Sequence, residues 1–107
     1  MTRRILIAEP NADVRRLLEL TLRRLGYEPV EAGEDGGRPR ADAVLLEPAC
    51  PVGRALLDRF GGRVPPVVCL SIYPREAHLA PPETVAYLVK PASRAELAAA
   101  LSDAFWH

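Results

Sequence analysis

Four short apolar runs recur along the chain: Ile5–Ala8, Ala43–Leu46, Val67–Leu70 and Ala86–Val89. Each is continuous rather than alternating, which predicts strands buried on both faces of a parallel sheet covered by helices. A fifth run, Tyr27–Ala32, alternates and contains Pro29, the pattern of an edge strand. After the first run, Val14, Leu17, Leu18, Thr21, Leu22 and Leu25 follow helical spacing. Asn11 or Asp13 caps that helix and Gly26 stops it. Ser93-Arg94-Ala95-Glu96 is a capping box that opens a last helix, with Leu97, Leu101, Ala104 and Phe105 on one face. A further helix is expected over Val52–Phe60, closed by Gly61-Gly62. Two connections are too broken for full helices: the polar stretch Gly33–Arg40, and Pro74–Thr84, where Pro81-Pro82 leaves room for one or two turns. The order predicts one α/β domain spanning residues 1–107, with five parallel strands and right-handed crossovers.

Composition narrows the function classes. Lys and Arg total 14 and so do Asp and Glu, for a formal net charge of zero. That balance argues against nucleic acid as a partner, since such proteins carry a basic face. Apolar residues make up 49% of the chain, the mix of a globular protein, yet no run approaches the ~20 residues of a membrane span. The opening residues lack a signal peptide's apolar region, so a cytoplasmic location is the expectation. Cys50 and Cys69 have no metal-ligand spacing and read as reduced thiols, Cys69 inside a strand.

Chemistry in an open parallel sheet collects beyond the carboxyl ends of the strands. Three strands end in a charged residue followed by proline: Glu9-Pro10, Glu47-Pro48 and Lys90-Pro91. A fourth ends at Ser71. Proline holds the residue before it extended, so each charge is presented at a strand terminus. With strand order 2-1-3-4-5, Glu9, Glu47, Ser71 and Lys90 converge on one rim. Lys90 is also the only lysine among the 14 basic residues. In a chain that otherwise uses arginine, it suggests a site needing a compact ammonium.

These residues resemble the receiver domain of two-component response regulators, over nearly the whole chain. The segment Ile5-Leu6-Ile7-Ala8-Glu9-Pro10-Asn11-Ala12-Asp13-Val14-Arg15 is similar to that family's first strand, acidic pair and first helix. Glu47-Pro48-Ala49-Cys50-Pro51 resembles its Asp-x-x-x-Pro, Ser71 its Ser/Thr position, and Tyr87-Leu88-Val89-Lys90-Pro91 its switch aromatic and Lys-Pro. The resemblance implies a flavodoxin-like three-layer sandwich, here with shortened second and fourth helices.

It also implies a phosphoacceptor site that this chain has altered twice. Glu47 stands where the family has the phosphorylated Asp, and its extra methylene moves the carboxylate by roughly an ångström, enough to spoil in-line attack. Pro10 stands where the family has a second acid that binds Mg²⁺, and it offers no ligand side chain. Mg²⁺ binding is therefore expected to be weak or absent, and with it phosphoryl transfer. No cofactor, metal site or catalytic residue is expected. Glu47 instead carries a fixed negative charge that Lys90 and Ser71 can meet in a hydrogen-bonded cluster. The bland reading is a relic rim pair worth ~0–1 kcal/mol.

The reading that follows is a stand-alone bacterial pseudo-receiver, held in one signalling state and acting through protein partners, a homodimer through the last strand and last helix included. Two alternatives stand beside it: a receiver that still accepts phosphate at Glu47, and a small flavodoxin-like ligand-binding protein. The second lacks a glycine-rich loop after the first strand. Tyr87 is either the switch aromatic or a half-buried strand tyrosine. Trp106 is either an exposed anchor, together with Tyr73 or Leu79, or a ring folded over the terminal turn. Cys50 reads as an inert loop thiol. His78 and His107 have no partner pattern, and Ser71, His78 and Glu47 do not form a nucleophile elbow.

Overall fold

The computed structural model describes residues 2–31, 39–73 and 80–106. Five parallel strands form one sheet: β1 (Arg4–Ala8), β2 (Glu28–Val30), β3 (Ala43–Leu46), β4 (Val67–Ser71) and β5 (Thr84–Val89). Their spatial order is β2-β1-β3-β4-β5, so β1, β3 and β4 are interior. Among the described residues there are three helices, α1 (Ala12–Arg24), α2 (Pro51–Asp58) and α3 (Arg94–Phe105). This is the flavodoxin-like sandwich expected from the sequence. The connections where shortened helices were expected lie largely in 32–38 and 74–79, outside the described residues, as do His78, Leu79 and His107.

Alternation along the strands divides the core in two. Ile5, Ile7, Leu45, Val68 and Leu70 face α1 and α3, where Leu18, Leu22, Leu97 and Leu101 meet them. Leu6, Ala8, Val44, Leu46, Val67 and Cys69 face α2, against Leu57 and Phe60. The continuous apolar runs of β1, β3 and β4 thus serve two cores at once.

β5 departs from its expected burial. Its Ala86 and Leu88 pack on the first core, but Val85 and Val89 on the other face are 38% and 48% exposed. An edge strand has a neighbour on one side only, and no described helix covers this end of the α2 face. β2, the other edge, is three residues long, and its Pro29 pairs with Ile5 at the outer margin of the sheet.

α1 starts where Asn11 Oδ1 accepts the amides of Asp13 and Val14, both at 3.0 Å, which settles the cap on Asn11. Gly26 follows it at φ 90°, a left-handed conformation that releases the chain into β2. Leu17 was expected in the core and is 65% exposed. The buried stripe is centred on Leu18 and Leu22, and Leu17 sits about 100° behind Leu18 on the helix. α2 begins one residue earlier and ends two earlier than expected, with Pro51 as its first residue, so Phe60 lies past the helix yet buried. α3 has the full capping box: the Ser93 hydroxyl accepts the Glu96 amide at 3.0 Å, and the Glu96 carboxylate accepts the Ser93 amide at 3.1 Å.

Candidate functional site

The carboxyl ends of β1, β3 and β5 deliver Glu9, Glu47 and Lys90 to one place. Lys90 Nζ donates to Glu9 Oε2 at 2.6 Å and to Glu47 Oε2 at 3.2 Å. The side chains are 15% exposed for Lys90, 5% for Glu9 and 9% for Glu47, so this is not a solvated rim pair. The sequence had put the lysine on Glu47; the structure makes Glu9 the closer partner.

Two buried carboxylates against one ammonium need further compensation, and the loops supply it. Glu9 Oε1 accepts the Asn11 amide at 3.2 Å, and Glu47 Oε1 accepts the Ala49 amide at 3.0 Å. Each carboxylate therefore gives one oxygen to its own loop and the other to Lys90. Both loops run straight into helices, so the positive ends of α1 and α2 lie beside the two acids. The α2 backbone comes close because residue 53 is glycine: a Cβ there would stand 3.0 Å from Leu46 Cδ1 and 3.4 Å from Ala8 Cβ. Sequence reasoning passed over Gly53, although a glycine inside a predicted helix was a signal of close packing. Arg15, also missed, donates from Nη1 to the Glu9 carbonyl at 3.1 Å and steadies the same turn.

Above the cluster lies a cleft of about 500 Å³ whose walls include Val14, Ile72 and Tyr73. Ser71 does not join the cluster as expected. It is fully buried, its hydroxyl accepts the Tyr73 amide at 3.2 Å, and its carbonyl accepts the Lys90 amide at 2.7 Å. It shapes the loop beside the cleft instead. Pro10 is exposed at the lip of the cleft and presents no polar atom on its side chain.

Solved structures share this architecture. The receiver domain of a sensor histidine kinase from Pseudomonas aeruginosa PAO1, solved with a magnesium ion coordinated in its active site cleft, matches with a TM-score of 0.77 and 25% identity over 100% of both chains. A sensor protein from Polaromonas sp. JS666 matches with a TM-score of 0.76 and 27% identity, over 95% of this chain and 94% of that one. The CheY-like receiver domain from Methylobacillus flagellatus matches with a TM-score of 0.73 and 20% identity, over 97% of this chain and 99% of that one. The chain has the receiver fold. No family model and no curated protein matches the sequence.

Two aromatic residues can now be placed on the receiver fold. Tyr87 is half-buried on the α2 face, packed against the core of that side, with its hydroxyl donating to the Tyr73 carbonyl at 3.1 Å. That contact couples β5 to the loop that walls the cleft. Trp106 is 83% exposed, so it is not folded over the terminal turn. It does not meet Tyr73 either. α3 starts beside the carboxyl end of β5 and its 12 residues run about 18 Å back toward the amino ends of the strands. There Arg3 stacks on Phe105, 4.2 Å from the ring centroid, while Tyr73 follows the carboxyl end of β4. The two aromatics belong to opposite ends of the molecule. Cys50, partly buried at the start of α2, also lines the cleft, and Cys69 is fully buried in β4.

Proposed function

We propose that the chain is a pseudo-receiver of bacterial two-component signalling, located in the cytoplasm, which takes no phosphate and acts by binding protein partners. The observation that carries this reading is the Lys90 ammonium seated between Glu9 and Glu47. In that arrangement the positive charge already has two anionic partners, and no incoming phosphoryl group is needed to engage it. The domain is thereby held in one signalling state.

The donor set does not suit Mg²⁺. The ion prefers six oxygen ligands in near-octahedral array. Here the two carboxylates are hydrogen-bonded to Lys90 and to their own loops, and the Pro10 side chain contributes no oxygen. Without a divalent ion, the charge that develops on a transferring phosphoryl group has little to neutralise it. Receiver domains are signalling modules rather than enzymes, and the same assignment is proposed here. The net charge of zero supports protein rather than nucleic acid as the partner. No helix among the described residues is long and apolar enough to cross a membrane. A dimer through β5 and α3 is one form the partnership can take; Val85 and Val89 are exposed on the face of β5 away from α3.

Incubation with Mg²⁺ and a small acyl phosphate, followed by intact-mass measurement, tests the proposal. The expected result is an unchanged mass. A gain of one phosphoryl group that disappears in Glu47→Gln would instead establish a working receiver with a glutamate acceptor.

A further inference from the structure

The amino ends of the three interior strands bring arginines together. Arg4 opens β1, Arg40 shortly precedes β3, and Arg63 shortly precedes β4. Because these strands are neighbours in the sheet, the topology gathers the three side chains at one edge, opposite the Glu9–Glu47–Lys90 end. A cavity of about 450 Å³ lies there, lined by all three arginines with Asp42, Phe60 and Pro65.

The polar groups at this edge have spare capacity. Arg4 Nε is buried and has no hydrogen-bond partner, and its contact with Glu28 is long, at 3.9 Å. Arg40 and Arg63 make no ion pair at all among the described residues. Asp42 is the one acid among the described residues of the lining, and its Oδ2 is already committed to the Arg4 amide at 2.7 Å. Among the described residues, three guanidinium groups against Asp42 and Glu28 leave one positive charge in excess. The carbonyl end of α2 reaches the same edge and subtracts about half a charge, which does not reverse the sign. Val64 and Pro65, both partly exposed, give the cavity an apolar side.

We propose that this cavity binds a nucleotide-sized organic phosphate. Arg40 and Arg63 hold the phosphate, and its apolar part rests on Val64 and Pro65. The planar guanidinium fork matches phosphate oxygens two at a time, and Arg40 and Arg63 have no ion pair among the described residues to compete with it. The volume falls in the range of small-molecule sites, ~300–1,000 Å³. This site lies at the end of the sheet away from the strand carboxyl ends, and does not depend on whether Glu47 accepts phosphate.

Titration calorimetry with ADP, pyrophosphate and adenosine, each without metal, tests the site. ADP is expected to bind more tightly than either of the others, and more weakly as salt is raised. Arg40→Ala with Arg63→Ala is expected to weaken ADP by about tenfold or more, the scale of lost charge-assisted hydrogen bonds. Glu47→Gln, at the opposite end, should bind as the parent does. In the unaltered chain, ADP should shift the amide resonances of Ala41 and Phe60 rather than those of Asn11 and Ala49. No ADP binding, equal affinity in the arginine double variant, or shifts centred on Asn11 and Ala49 would overturn the site. Pyrophosphate binding as tightly as ADP would overturn the role given to Val64 and Pro65.

Discussion

Lys90 reaches Glu9 at 2.6 Å, across the whole interior of the sheet, and passes Glu47 at 3.2 Å on the way. Strand order explains this: β5 and β1 are separated by β4 and β3, and Glu47 stands on β3 between them. The lysine acts as a bridge between two carboxylates rather than as the partner of one.

Removing the bridge and removing one of its ends should therefore differ in cost. Lys90→Met leaves two buried carboxylates facing each other without their cation, and urea unfolding near neutral pH should show a loss of about 3–5 kcal/mol. Glu47→Gln leaves Lys90 on Glu9 and relieves the repulsion between the acids, so its cost should stay below about 1 kcal/mol. Equal losses for the two variants would contradict the bridging arrangement.

Gly53→Ala sets helix propensity against packing. In an exposed helix the change stabilises by about 1 kcal/mol. Here the new Cβ meets Leu46 Cδ1 at 3.0 Å, and Leu46 is fully buried with little room to yield. Overpacking typically costs ~1–3 kcal/mol, so the net effect should be a loss of about 1 kcal/mol by denaturant unfolding.

Ser93→Ala breaks the capping box at the start of α3. The expected loss is about 1 kcal/mol, read by thermal unfolding as a drop of ~4–8 °C in a domain of this size. Ser93→Asp should recover most of it, since aspartate accepts the Glu96 amide equally well.

Trp106→Ala should leave stability within about 0.5 kcal/mol, because its side chain is 83% exposed. As the only tryptophan, it also reports its own surroundings. Its emission in the folded chain should already be that of a water-exposed indole and shift little on unfolding. A marked red shift on unfolding would place the ring in a contact that the structure does not have.

Much of this molecule is legible in its sequence because parallel sheets write a plain pattern. β1, β3 and β4 appear as unbroken apolar runs, and the charge-proline pairs after β1, β3 and β5 mark the ends where a site can form. What the pattern does not carry is distance and direction. It cannot say that a lysine on β5 extends beyond Glu47 to Glu9, because that depends on the reach of a four-carbon stem across packed strands. Leu17 fits helical spacing yet lies off the buried stripe, whose centre is set by where the sheet touches α1. Trp106 and Tyr73, plausible neighbours as two aromatics, are parted by the antiparallel course of α3. Ser71, at the expected place on β4, turns its hydroxyl to the Tyr73 amide and away from the charges.

The charged cluster unites residues 81 and 43 positions apart in the chain. No partly assembled sheet contains it: β1, β3 and β5 must all be in register before Lys90 meets both acids. A partner that recognises this rim consequently inspects the completeness of the domain as well as its identity. Truncated or half-folded chains, however much of the apolar core they retain, present nothing there to read.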